Sequence, residues 1–223
     1  VGRLYLVRHG RTAWNKGEVF RGTADVPLDD VGRQQGRLVG EALKTQARRA
    51  ARILSSPLSR AMETASIIAE AFAGVAAEAD DRLTDIDVGE WSGVSLEEVS
   101  RRYPGQYQGW ALTPHLFRFP GGQMLREVQE QAWQAVRDAA PLLADSDVIL
   151  VSHRLTLKAL ALKAVGAGLE HFWKVRLDTG SISVLELGEA VTGDPDAGSR
   201  LVLSRLNDVS HLAPLRLQDR IDF

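Results

Sequence analysis

Two apolar runs in this chain stop abruptly at a histidine, and that pattern limits the folds open to it. The first, Leu4 to Val7, ends at Arg8-His9-Gly10; the second, Asp147 to Ser152, ends at His153. Runs of this length bounded by polar residues read as buried strands, and Gly10 is expected to let the backbone turn at the first strand's carboxyl end. In open α/β sheets, ligands bind in the crevice outside the carboxyl ends of strands. A guanidinium and an imidazole delivered there side by side suit a phosphate. Arginine offers a permanently charged planar fork, and a neutral histidine can act as a nucleophile.

The rest of the chain alternates in the same manner. A polar loop spans Gly17 to Asp29, followed by a helical pattern over Val31 to Arg48 with Asp29 or Asp30 as N-cap. Arg52 to Ser55 reads as a strand, Ser59 to Phe72 as a helix opening just after Pro57, and Met124 to Leu143 as a long amphipathic helix. After His153 come a helix over Leu155 to Val165 and strands over Ser181 to Leu187 and Leu201 to Leu206, with Gly193 to Gly198 a hairpin-type loop between them. Residues 79–120, rich in Gly, Trp, Tyr and Pro, read as an inserted cap with a helix near Leu96 to Arg102. The expected architecture is a three-layer α/β/α domain, residues 1–223, with a mostly parallel central sheet and a helical cap.

Composition narrows the function classes. At 223 residues the chain can bury a sizeable core, and a net charge of −2 gives no general basic field for nucleic acid. Any anion site must therefore be local. There is no cysteine, which excludes disulfides, thiol catalysis and cysteine-ligated metals and fits a cytoplasmic location. No run approaches the length of a membrane span, so no membrane partner is expected. The first strand begins at once, leaving no room for a signal peptide, and the start at Val1 suggests a missing initiator methionine or short leader.

Arg60 opens the helix after the second strand, where the helix dipole favours an anion. Two arginines and two histidines thus converge on one crevice, where they repel one another until a phosphoryl group joins them.

These elements resemble the histidine phosphatase superfamily, the phosphoglycerate mutase-like fold. The likeness rests on Leu6-Val7-Arg8-His9-Gly10 with Thr12 and Asn15, on Arg21 to Leu28 with Gly32, on Ser55 to Ala61 with Thr64-Ala65, and on Val151-Ser152-His153. Asn207-Asp208 and His211-Leu212 extend it towards phosphatase members. The resemblance implies that His9 is the phosphorylated nucleophile, with Arg8, Arg60 and His153 holding the phosphoryl oxygens. Asn15, Thr12, Arg21 and Gly22 would face substrate, and neither metal nor cofactor is required. The family's usual acid is a glutamate in Leu-x-Glu-x-x-x-Gly-x-Trp-Glu-Gly; here Asp85 stands at its position, with Asp87 as runner-up and Glu90 read as a solvated loop charge.

Three further departures stand out. Arg11 replaces a commoner glutamate or glutamine and adds charge beside the pocket. Arg154 replaces the glycine that usually follows the second histidine and is itself a candidate substrate contact. Gly121-Gly122-Gln123 replaces Gly-Glu-Ser, altering a substrate-side polar contact. The mutase branch's Glu-Arg-His-Tyr-Gly segment is absent, as is its larger insertion, so a phosphatase acting on small phosphate esters is expected, of the bacterial branch that includes alpha-ribazole phosphatase. The alternatives are a phosphoglycerate mutase and a catalytically silent binding protein. Trp91, Tyr103, Tyr107, Trp110, Phe117 and Phe119 read as the cap's own small core ahead of a substrate lining. A homodimer is admissible, though nothing in the sequence selects an oligomeric state.

Overall fold

The computed structural model describes residues 2–15, 18–47, 49–188 and 201–215. The expected loop at Gly193 to Gly198 lies outside them. Among the described residues six strands form one sheet: β1 (Arg3–Arg8), β2 (Ala50–Ser55), β3 (Ala77–Ala79), β4 (Asp147–Ser152), β5 (Ile182–Leu187) and β6 (Leu201–Asp208). Their spatial order is β3-β2-β4-β1-β5-β6. The first four run parallel, while β5 and β6 close one side as an antiparallel pair.

Among the described residues, six α-helices flank the sheet and its insertion: α1 (Asp30–Gln46), α2 (Ser59–Ala69), α3 (Leu96–Arg102), α4 (Pro104–Leu112), α5 (Leu125–Ala139) and α6 (Arg154–Ala164). β4 is buried at all its positions because it lies between two strands and beneath helices on both faces. Successive side chains of a strand point to opposite faces. Leu4, Leu6, Val148 and Leu150 pack with Val136 of α5 and Leu157 and Leu160 of α6. Tyr5, Val7, Ile149 and Val151 pack on the other face with Val39 and Leu43 of α1 and Ala65 and Ile68 of α2.

The α/β/α layering agrees with the sequence reading; several boundaries differ. The α-helix expected to reach Leu143 ends at Ala139, and a 3-10 segment covers Ala140–Ala144. Pro141 explains the change, since it has no N–H to continue the ladder. α2 ends at Ala69, short of the expected Phe72, and β6 runs two residues past the expected Leu206. Sequence periodicity missed β3, which has only three residues, and α4, where Gly105 and Gly109 dilute the helical signal. α3 lies where it was expected.

The segment between β3 and α5 builds a third apolar cluster. Trp91, Trp110 and Phe119 pack there with Phe20, Val128 of α5 and Phe172. Trp91 meets Phe20 at 5.0 Å and Phe119 at 5.4 Å between ring centroids, both edge-on. Most of the aromatic residues singled out above therefore form the segment's own core; of that set, Trp110 also reaches the pocket described next.

Candidate active site

β1, β4 and β2 are neighbours and parallel, so their carboxyl ends share one edge. Arg8 pairs with Ser152 and Ser55 with Val151, which sets His9, His153 and Ser56 next to one another just beyond the sheet. The His9 backbone N–H donates to the Ser152 carbonyl at 3.0 Å, and the two imidazole centroids are 5.1 Å apart. All of Arg8, His9, Arg60 and His153 are buried. The expected convergence of two histidines and two arginines is present.

Hydrogen bonds determine which nitrogen of each ring carries the proton. His9 Nδ1 lies 2.7 Å from the Gly10 carbonyl, which can only accept, so Nδ1 is protonated and Nε2 keeps its lone pair. Arg60 Nε, which can only donate, lies 3.2 Å from His153 Nδ1; the His153 proton therefore sits on Nε2, 2.8 Å from Ser56 Oγ. Burial holds both imidazoles well below the ordinary histidine range, reinforced for His9 by His153 and for both by Arg60, Arg8 and Arg21. Both rings are neutral at pH 7.

Arg60 is oriented by three partners besides the carboxylate facing it. Nη1 donates to the Ala24 carbonyl at 2.7 Å, Nη2 to the Gly22 carbonyl at 2.9 Å, and Nε to His153. Gly22 adopts φ +51°, and a Cβ there would lie 2.7 Å from Val88 Cγ2 and 2.9 Å from the Ile86 carbonyl oxygen. Only glycine brings this loop so close to the segment that carries Asp85. Arg8 donates from Nη1 to the Leu177 carbonyl at 2.7 Å.

Asp85 faces this cluster. Its Oδ2 is 3.5 Å from Arg60 Nη2 and 3.8 Å from His153 Nδ1, and its side chain is 10% exposed. Burial raises its pKa, and this outweighs the opposing pull of Arg60, Arg21 and Arg154. The loop bearing it is tied to the sheet edge, for Ser152 Oγ donates to the Leu83 carbonyl at 2.6 Å and Thr156 Oγ1 to the Thr84 carbonyl at 3.1 Å. Asp87 is engaged elsewhere: its Oδ1 accepts the Gly89 N–H at 2.8 Å.

A pocket opens over these groups, lined by Arg8, His9, Val19, Phe20, Arg21, Gly22, Asp85, Val88, Trp110, Arg154 and Leu155. Arg21, Gly22 and Arg154 thus lie where substrate would enter. Asn15 and Thr12 do not line it; Asn15 Oδ1 accepts both the Thr12 N–H at 2.8 Å and the Thr12 hydroxyl at 2.9 Å, bracing the loop after His9. Arg11 departs from expectation. Its Nε pairs with Asp29 Oδ2 at 2.8 Å, so its charge is spent on the α1 N-cap and not on the pocket. Gln123, where an altered substrate-side contact was expected, instead braces the segment bearing Asp85 and Asp87, its Oε1 accepting the Asp87 N–H at 3.0 Å.

Sequence reasoning assigned no role to Ser56, Thr64, Leu177 or Gly180. Thr64 Oγ1 accepts the Gly10 N–H at 3.1 Å, and the Gly180 N–H donates to the Arg8 and His9 carbonyls at 3.1 and 3.2 Å. Ser56 and Thr64 lie within the segments that carried the resemblance. Leu177 and Gly180 act through the backbone, which leaves no side-chain signal. Among the described residues, no group of three or more His, Cys, Asp or Glu side chains is arranged to hold a metal ion, and no helix is long and apolar enough to cross a membrane.

Residues 4–192 match the model of the histidine phosphatase superfamily, branch 1. The chain belongs to this superfamily. It is 32% identical over 210 residues to Phosphoserine phosphatase 1 of Hydrogenobacter thermophilus, covering 94% of each chain. It is 33% identical over 215 residues to Probable phosphoglycerate mutase GpmB of Klebsiella pneumoniae, again covering 94% of each. Among solved structures, YhfR of Bacillus stearothermophilus superposes with a TM-score of 0.84 at 29% identity, covering 95% of this chain and 100% of that one. A mycobacterial glucosyl-3-phosphoglycerate phosphatase solved with VO3 superposes at 0.79 and 25% identity, covering 93% and 99%. The superfamily, the α/β fold and a phosphatase- or mutase-type enzyme are thus established for this chain.

Proposed function

We propose that the protein is a phosphomonoesterase that hydrolyses small phosphate esters through a phosphohistidine at His9. The observation that carries this reading is the His9 tautomer. The Nδ1–H bond to the Gly10 carbonyl leaves the Nε2 lone pair on a neutral ring, in a pocket whose polar lining besides His9 is three guanidiniums and a protonatable carboxyl. In the first step Nε2 attacks phosphorus, the ester P–O bond breaks, and Asp85 gives its proton to the departing oxygen. In the second, water attacks the phosphohistidine, its proton passes to the Asp85 carboxylate, and the P–N bond breaks to release phosphate. Arg8, Arg60 and His153 serve the charge that spreads over the equatorial oxygens. His153 Nε2–H, now directed at Ser56 Oγ, has a phosphoryl oxygen as its alternative acceptor.

The relatives named for phosphoserine and glucosyl-3-phosphoglycerate hydrolysis support a small, phosphorylated metabolite as substrate. Alpha-ribazole phosphate belongs in the same screening panel, since an alpha-ribazole phosphatase of Shigella flexneri shares the fold. His9→Ala is expected to retain less than a few per cent of turnover. Acid-labile, base-stable radiolabel from a phosphate ester should appear on the wild type and not on this variant. Vanadate, a mimic of the five-coordinate transition state, should inhibit strongly while EDTA leaves activity intact; loss of activity on chelation would refute the mechanism. The similarity to GpmB calls for one more assay. Given 3-phosphoglycerate and a bisphosphoglycerate primer, the protein should release inorganic phosphate and accumulate little 2-phosphoglycerate; efficient isomerisation would make it a mutase.

A further inference from the structure

β6 ends at Asp208, and a 3-10 segment, Ser210–Leu215, follows it. His211 in that segment belongs to the resemblance noted above, yet no step of the proposed reaction uses it. Among the described residues its ring makes one hydrogen bond. Nε2 lies 2.9 Å from the Gly180 carbonyl, which can only accept, so Nε2 carries the proton and Nδ1 is buried without a partner. Gly180 turns at φ +70°, a conformation that favours glycine, and its N–H donates to the Arg8 and His9 carbonyls at 3.1 and 3.2 Å. On either side of it, the Ser181 carbonyl accepts the Arg8 N–H at 3.1 Å and the Leu177 carbonyl accepts the Arg8 guanidinium at 2.7 Å. One short segment thus aligns the backbone of Arg8 and His9 and aims the Arg8 charge.

Three side chains from elsewhere in the chain hold that segment, each at a different residue. Asn207 bonds Asp178 twice, accepting its N–H at 2.7 Å and donating to its carboxylate at 3.0 Å. Gln35 donates to the Thr179 carbonyl at 3.2 Å and its hydroxyl at 3.1 Å. His211 alone of the three holds Gly180, the residue whose own N–H grips the end of β1. We propose that His211 is a positioning residue for the nucleophile, its hydrogen bond fixing the Gly180 peptide against which the backbone of Arg8 and His9 is aligned. The proposal rests on the phosphohistidine reading above and deepens it. Attack on phosphorus tolerates little error in the place of the nucleophilic nitrogen, and a misplacement of about 1 Å can cost roughly a hundredfold in rate. Loss of the tether would free the end of β1 on one side only, because the His9 N–H stays bonded to the Ser152 carbonyl on the other.

The test separates the hydrogen bond from the bulk of the ring. His211→Phe keeps a ring without the donor, and His211→Gln offers an N–H at a similar reach. Assayed well below their melting temperatures, His211→Phe should lose about tenfold or more in kcat/KM on p-nitrophenyl phosphate and on an alkyl phosphate alike, and His211→Gln should recover most of that loss. Should His211→Phe fail to fold, His211→Ala takes its place in the comparison. Wild-type turnover in the folded variant that lacks the donor, with only its melting temperature lowered, overturns the proposal. So does a His211→Gln protein no more active than that variant. Amide hydrogen exchange reads the tether without any chemistry. The Gly180 and Arg8 amides should lose protection in His211→Phe and regain it in His211→Gln, while the His9 amide keeps its protection in both. Equal loss at all three amides marks general loosening and overturns the proposal. The expected exchange pattern, in a protein whose wild type hydrolyses no ester, would uphold the tether and sink the phosphatase reading alone.

Discussion

At the scale of single residues, the site holds two buried groups whose charged forms are both disfavoured. His9 is kept neutral by burial and surrounding cations, and Asp85 is pushed towards the protonated form by burial. The consequence for pH is definite in sign. Under the proposed mechanism, protonation of His9 as pH falls through its lowered pKa removes the nucleophile and ionisation of Asp85 as pH rises through its raised pKa removes the acid, so kcat/KM for an alkyl phosphate should be bell-shaped. Its falling limb should lie above the ordinary aspartate range. Asp85→Asn should abolish that limb and reduce turnover of an alkyl phosphate by about a hundredfold or more, within the usual range for general acids. The same variant should cost p-nitrophenyl phosphate far less, because a phenolate leaves without a proton, provided phosphorylation of His9 limits the rate. Equal losses on both substrates would mark Asp85 as structural. His153→Ala should hurt both substrates alike, since it serves the phosphoryl group whatever departs.

At the scale of elements, Arg8 ends β1 and Arg60 lies in the first turn of α2, while His9, His153 and Asp85 sit on connecting segments pinned to a strand end or helix start. The segment Leu177 to Gly180 grips β1 from above through Arg8 and His9, and Asn207, at φ +55°, holds that segment in turn by accepting the Asp178 N–H at 2.7 Å. Beneath His9, the loop after β1 is pressed against the first turn of α1. A Cβ on Gly10 would lie 2.3 Å from the Gly32 carbonyl oxygen, and one on Gly32 only 2.1 Å from that of Arg11. Gly10 is thus required for close approach, a different reason from the turn its sequence context suggests. Gly32→Ala should therefore lower stability by ~1–3 kcal/mol, the usual cost of overpacking. It should also lower turnover of aryl and alkyl phosphates together, because it displaces the nucleophile's loop. Chemical denaturation beside the two assays checks both; full stability in the variant would show that the loop can retreat freely.

At the scale of the whole molecule, the sheet delivers the chemistry to one edge and the segment between β3 and α5 closes over it with an aromatic core. Beside that core Lys158 is buried against the Phe172 and Trp173 rings, a cation with no chemical role in the proposed steps. Burial brings its pKa down from 10.5 to about 7, with Arg154 and Arg8 acting in the same direction. A group whose folded pKa is depressed stabilises the fold above its unfolded pKa and loses that contribution as pH falls towards the folded one. Wild-type stability should therefore decline between roughly pH 10.5 and 7 on this account, and Lys158→Met should remove the decline. The variant's melting temperature should exceed the wild type's by a larger margin at pH 7 than at pH 10. A margin independent of pH would mean that Lys158 is charged throughout.

Much of the site was legible in the sequence because it depends on local order. An apolar strand ending in Arg8-His9 and another ending in His153 must share an edge once the strands run parallel, and Arg60 at a helix start joins them there. The position of Asp85 within its segment likewise singled it out from Asp87. What the sequence could not supply depends on contacts between distant residues. The sign of the Asp85 shift comes from burial against three guanidiniums, and the histidine tautomers from Gly10, Arg60 and Ser56. Arg11 and Arg154 are both extra charges by sequence, yet one is drawn off to Asp29 and the other turns into the pocket. Sequence determined which charged and titratable groups reach the crevice; tertiary packing alone decided their solvation and partners, and hence which of them stay ionised.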